Sequence, residues 1–261
     1  MPFSQWLLVY IPIWTMVTAI IAVTVVISIS GVLLVRRYFG VGYFKRHHDV
    51  AGPIFNTAGV IYAVLLGFVL VIVWQDYDKT NDNAVREVDC YVDIYRDLAG
   101  MDEPFRSQAR SALIDYLHVL KDEEWPLLAY GEHSMKAEKM AADCWQLVAA
   151  YVPVGENQKA FYAEILHKMN EAGELRQQRI IDAATGINPV LWFILIVGGL
   201  INVIFMLFFG SENIKAQIVM TMLLSMLIGL VLLTILIMDF PFSGDVSIGP
   251  RVFKEVLPGL K

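Results

Sequence analysis

The side chains able to do chemistry are few, and their spacing points away from catalysis. His47-His48-Asp49 has the composition of a metal cluster. Neighbouring residues on a helix point about 100° apart, so one ion rarely takes both imidazoles. A polar juxtamembrane loop is the simpler reading. His118, His133 and His167 lack the i,i+4 spacing of a helical zinc site. Glu123-Glu124, before Trp125-Pro126, has the form of a carboxylate pair, but solvation at a helix end accounts for it better. There is no Walker loop, no G-x-G-x-x-G after a strand and no G-x-S-x-G. The residues therefore give no support to an enzyme, a metal site or a cofactor. Cys90 and Cys144 are too few for a disulfide framework and read as buried thiols, though an oxidising compartment would let them bridge.

A different pattern stands out between Asn56 and Asp78. Gly59, Ala63 and Gly67 recur every four residues. Small residues at that spacing let helices approach closely in lipid, either within one protomer or between copies. Val60, Val64 and Phe68 run beside them, rotated by one position. If several protomers pack through the glycine edge, this apolar stripe faces a shared axis and forms a neck that gates by dewetting. Asn56 at one end, and Gln75, Asp76 and Asp78 at the other, then wet the two mouths. Each Asp becomes a ring of like charges that concentrates cations; the plainer reading is an ordinary polar flank. Asn202 is the one strongly polar side chain in a later apolar run and is expected to make an interhelical hydrogen bond. Asp239, followed by Pro241 and Gly244, marks a sharp turn at the end of the last run. An ionisable group there is a functional candidate, or a cap for the freed backbone.

The elements that carry these residues are membrane spans. Of the 261 residues, 57% are apolar and only 18% are charged, against roughly 25% charged in an ordinary globular chain. No charge occurs in 5–35, 52–75, 186–211 or 216–238. About 20 apolar residues cross a bilayer, so four runs make a multi-pass protein. The net charge of −6, with no basic aromatic-rich domain, argues against a nucleic-acid partner. The first run is too long, and lacks the leading positive charge, for a cleaved signal peptide; it reads as a retained helix with Pro12 near its start. The expected order is a first span over 6–35, a basic loop over 36–51 and a second span over 52–76. An acidic helical extramembrane domain follows over 77–187. A third span over 188–210, a short loop over 211–215, a fourth span over 216–239 and a C-terminal tail over 240–261 complete the chain.

Periodicity carries the second span on as one helix to about Gly100, through Val85, Val88, Val92, Tyr95 and Ala99. Such a helix either transmits motion to the domain or simply holds it in place. Pro104 opens a second helix ending near Trp125-Pro126. Ser134 caps a third that runs to Tyr151, and a fourth runs from Glu156 toward Asn188-Pro189. The fold class is all-α. The basic loop carries +3 and the polar segment −8. Short basic loops stay cytoplasmic, which puts the acidic domain outside, in the periplasm of a Gram-negative cell.

Gly59 to Phe68, Val73-Trp74 with Tyr77-Asp78, Tyr95-Arg96-Asp97-Leu98, Glu124-Trp125-Pro126 and Asp239 to Asp245 resemble a bacterial family of four-span proteins labelled bestrophin-like. The resemblance covers nearly the whole chain. A more distant, local resemblance links Leu66-Gly67-Phe68 to the pore neck of true bestrophins, pentameric ion channels whose second span lines the pore. By position it implies Val60, Val64 and Phe68 as neck residues. Asp76-Tyr77-Asp78-Lys79 departs from the Arg-Trp-Trp-Glu run of bestrophins, and no acidic loop matches their calcium clasp, so calcium gating does not carry over. Bestrophins keep their large domain in the cytoplasm, opposite to the loop-charge reading, which is favoured because it rests on residues present here.

The expectation is an inner-membrane homo-oligomer, a pentamer by resemblance, that conducts small ions through a pore lined by the second span. The alternative is a non-conducting sensor or scaffold whose helical domain binds a partner.

Overall fold

The protein is described here by a computed structural model, which describes residues 2–39, 48–208 and 213–260. His47 and the side chains of His48 and Asp49 lie outside the described residues, as does most of the basic loop. The described residues are helical and contain no strand. The helices are α1 (Phe3–Tyr10), α2 (Ile13–Phe39), α3 (His48–Asp97), α4 (Phe105–Val119), α5 (Trp125–Leu128), α6 (Met135–Ala149), α7 (Glu156–Ala184), α8 (Pro189–Phe208), α9 (Ile214–Asp239) and α10 (Arg251–Val256). They form two compact units. One, the helical unit, holds 1–10, 76–186 and 240–261; the other, the span unit, holds 11–75 and 187–239.

Four helical stretches are long and apolar enough to cross a bilayer. Proline and small polar residues set their ends. Pro12 lacks an N–H and excludes the preceding residue from helical backbone. It therefore separates α1 from α2, where the sequence pointed to one helix from residue 6. Asn188 accepts from Val190 N at 2.9 Å, with Pro189 opening α8. Asn213 accepts from Lys215 N and Ala216 N and starts α9.

Within the span unit, α8 meets α3 over a glycine pair. A Cβ on Gly198 would lie 2.6 Å from the Tyr62 ring, and one on Gly199 2.8 Å from its hydroxyl. That close approach lets Tyr62 donate to the Leu195 carbonyl at 2.9 Å. Around it Leu66, Val69, Val73, Leu195, Ile228 and Ile235 are buried. At one end Arg36 donates twice to Gln217, which donates to the Leu207 carbonyl, joining α2, α9 and α8. Hydroxyls of Thr18, Ser30, Thr57, Thr221 and Thr234 bond the carbonyl four residues back. In hydrocarbon that satisfies groups water cannot reach.

The helical unit is built on the second part of α3, packed with α4, α6 and α7. Ser134 accepts from Ala137 N and caps α6, as its place before an apolar-periodic run indicated. A single π-helical turn, Leu120–Glu124, joins α4 to α5. Residues 240–260, read as a tail, contribute Phe242, Ile248, Phe253 and Leu260 to the core. Trp125 lies edge-on to Phe242 and Phe253 and donates to the Ile248 carbonyl at 3.0 Å. Gln5 of α1 is fully buried; its amide nitrogen donates to the Ala183 carbonyl at 3.0 Å and lies 3.3 Å from both the Ala129 carbonyl and the Ser243 hydroxyl, with one further N–H to share between them.

Candidate functional site

The apolar stripe of α3 points away from its own unit. Tyr62, Leu66, Val69 and Val73 form the buried face. Residues two apart on a helix differ by about 200°, which sets Val60 and Val64 opposite Tyr62 and Leu66. Val60, Val64 and Phe68 are accordingly 55%, 51% and 67% exposed. The small-residue edge is not what packs α3 into its protomer. A Cβ at Gly67 would meet nothing within 4 Å, and one at Gly59 only the Asn202 oxygen, at 3.6 Å. Gly59, Ala63 and Gly67 instead line an apolar groove of about 540 Å³ whose far wall is Leu224, Leu227 and Val231 of α9. Asn202 also lines it. Its amide donates to the Gly198 carbonyl at 2.8 Å, within α8, so the expected interhelical bond is an intrahelical one. Asn56, Gln75, Asp76 and Asp78 are all exposed on α3.

Asp239 is a tie between span ends. Its carboxylate accepts from the Ile187 N–H at 2.6 Å and the Trp192 indole at 3.2 Å, fixing the approach to α8 against the end of α9. Hydrogen bonds to a charged group are worth about 1.5–3 kcal/mol. Asp239→Ala should lose about that much stability, and Asp239→Asn less, in thermal unfolding of the purified protein. Two residues on, Pro241 accepts from Ile248 N at 2.7 Å. Gly244 has φ +81° beside the Leu8 carbonyl, which suits glycine alone.

The helical unit holds a constellation that local spacing did not reveal. Glu87 and Glu124 are fully inaccessible to solvent, and Arg179 is 1% exposed. Arg179 donates to Glu87 at 2.6 and 3.0 Å and to Glu124 at 3.0 Å. Arg176 clamps the same Glu124 at 3.0 and 2.5 Å. The Arg179 guanidinium lies 4.8 Å from the centre of the Trp125 ring. Glu124 is therefore not a solvated helix-end residue. The π turn carries it inward, while its neighbour Glu123 pairs with Lys136 at the surface. Burial pushes the Glu124 carboxyl up, but the hydrogen bonds and charges of Arg176 and Arg179 outweigh it and hold it below its ordinary value near 4.5. The unfolded chain thus binds more protons just below pH 4.5 than the folded one. The contribution of this carboxylate is complete above that pH and is lost as pH falls through the depressed folded value. Acid unfolding of the helical unit should begin below about pH 4.5. Glu124→Gln should flatten that limb of the stability–pH curve.

Among the described residues no group of three His, Cys, Asp or Glu side chains could hold a metal. Cys90 and Cys144 are free thiols, one buried and one partly so.

A bestrophin-like domain model matches residues 22–253. The chain belongs to the bestrophin-like family. Crystal structures of two point variants of a bacterial bestrophin homologue from Klebsiella pneumoniae share the fold. Their TM-scores are 0.72 and 0.70 at 13% and 11% identity, over 94% of this chain and 98% and 97% of theirs. A further crystal structure, of a membrane protein variant, gives 0.69 at 11% identity over 94% and 97%. No protein of curated function matches the sequence. Within this bestrophin-like chain, Val60, Val64 and Phe68 share one face, Asp239 holds Ile187 and Trp192, and Arg176 and Arg179 hold Glu87 and Glu124. The cluster was hidden because its partners stand 52 to 92 positions apart. Its one sequence signal is Arg176 and Arg179 on a common helix face.

Proposed function

We propose that this bestrophin-like protein assembles around α3 as a homo-oligomer and conducts small ions across the bacterial inner membrane. One observation carries this reading. The face of α3 bearing Val60, Val64 and Phe68 is turned from its own unit, beside an edge of small residues that, among the described residues, is open at Gly67 and touched at Gly59 only by Asn202. A second copy packed on that edge would complete the groove and bring the stripe toward an axis. Family membership supports the reading, because bestrophins are ion channels; five copies is the number the resemblance implies. Rings of Val60, Val64 and Phe68 would form the neck, with Asn56 at one mouth and Gln75, Asp76 and Asp78 at the other. We read the helical unit as lying outside the cytoplasm; the +3 charge of the first loop supports this orientation, against the cytoplasmic domain of bestrophins. A cysteine at Gly131 that labels only from the cytoplasmic side overturns that orientation.

The test is recording from purified oligomers in planar bilayers. Unitary, ohmic current steps are expected. Silence from well-folded oligomers, across pH and divalent-ion conditions, contradicts conduction and leaves the non-conducting scaffold.

A further inference from the structure

The helical unit contains a second feature that conduction does not use. A pocket of about 180 Å³ opens between α3, α4, α6 and α7. An apolar cavity of about 150 Å³ is known to stay dry and take up benzene, so this one has room for a single aromatic ring. Its walls are Ile94, Leu98, Leu113 and Val148, with small side chains such as Ala109 and Ala172 leaving the space. Gly173 and Trp145 stand exposed at its edge.

Three polar side chains in the wall define what the ring must carry. Tyr91 donates its proton to Glu87 at 3.2 Å. Its hydroxyl lies 3.3 Å from that of Tyr116, and its only proton is already committed, so Tyr116 is the donor of that pair. The Tyr116 oxygen therefore keeps acceptor capacity and has no other partner among the described residues. Arg176, also in the wall, spends Nε and Nη2 on Glu124. Its Nη1 has no hydrogen-bond partner among the described residues, so it remains a donor. Burial first of all raises both phenols above their ordinary range, which keeps their protons in place. Burial, with Asp143 and Asp115 nearby, likewise pushes the Cys144 thiol in the wall up to about 11, so it stays neutral.

We propose that this pocket is a binding site for a one-ring aromatic molecule bearing a hydroxyl group. The apolar wall takes the ring. The ligand hydroxyl donates to Tyr116 and accepts from Arg176, extending the chain that ends on the Glu87 carboxylate. A phenol meets both needs, anisole can only accept, and benzene does neither.

The full chain in detergent is titrated with phenol, anisole and benzene by ligand-observed NMR, with Gly173→Leu at the same detergent concentration as the reference for micelle uptake. A Cβ at position 173 would meet nothing within 4 Å, so a leucine has space to fold and fills the pocket edge. Saturable phenol binding is expected, with anisole and benzene about 3- to 10-fold weaker. Gly173→Leu should weaken all three at least about tenfold, with its unfolding midpoint unchanged or higher. Tyr116→Phe, where it folds, should bring phenol and anisole to equal affinity. Phenol uptake no greater in the native chain than in Gly173→Leu overturns the site. Equal affinity of the native chain for phenol and anisole overturns the assignment of the hydroxyl, without any need for the Tyr116 variant.

Discussion

Replacing Arg179 with alanine should cost the helical unit about 3–5 kcal/mol, a large share of the roughly 5–15 kcal/mol that holds a domain together. The guanidinium is 1% exposed and serves two carboxylates that are themselves wholly buried. Without it Glu87 loses its only ion-pair partner in the cluster, and Glu124 keeps one ion pair, with Arg176, and the Ser134 N–H at 3.4 Å. An unpaired charge in a dry interior costs far more than the pair was worth. Trp125 also loses the planar cation stacked on its ring. Arg179→Lys should recover little, because an ammonium cannot present the fork that reaches both acids. Arg176→Ala should cost less, since Arg176 is 12% exposed and Arg179 still holds Glu124. Thermal unfolding by circular dichroism ranks the three. A loss below about 1 kcal/mol for Arg179→Ala would show that water reaches the cluster.

Phe68→Ala should raise the single-channel current severalfold, the largest functional effect expected here. Phe68 is the bulkiest member of the exposed stripe and is 67% accessible within its own chain. In a ring of copies its side chains would leave the narrowest and driest section of a neck. Removing them widens it and lets water remain, which lowers the cost of passing an ion. Phe193→Ala is the control. Phe193 is equally bulky and 66% exposed, but lies on α8, away from the proposed lining. Its truncation should leave the current unchanged. Equal effects of the two variants, or none from either, would remove Phe68 from any ion path.

The four spans were legible because hydrocarbon demands long charge-free runs, and no soluble helix needs one. The Ser134 cap, the α6 start and the long extension of α3 were legible because their signals are local: a hydroxyl before a periodic run, or apolar spacing of three and four. Residues meeting across the chain left little trace. Tyr62 reads as one more apolar residue until the Gly198-Gly199 pair is seen against its ring. Gln5 sits inside a charge-free run, yet Pro12 keeps that run from forming a single helix, and the Gln5 side chain is buried within the helical unit. Phe242, Ile248 and Phe253 are spaced too irregularly to show a face. Glu124 looked solvated because its burial depends on a π turn, and nothing in Leu120-Lys-Asp-Glu-Glu marks an extra residue in the turn. The stripe of Val60, Val64 and Phe68 was visible by spacing, but its direction was fixed only when Tyr62, Leu66, Val69 and Val73 were found on the other side.

Electron cryo-microscopy of the purified oligomer tests the central claim most directly. A closed ring is expected, with the second span of every copy facing the axis and Val60, Val64 and Phe68 forming its constriction. A monomer, or a ring whose centre is built from α2, α8 or α9 or plugged by lipid, would contradict it.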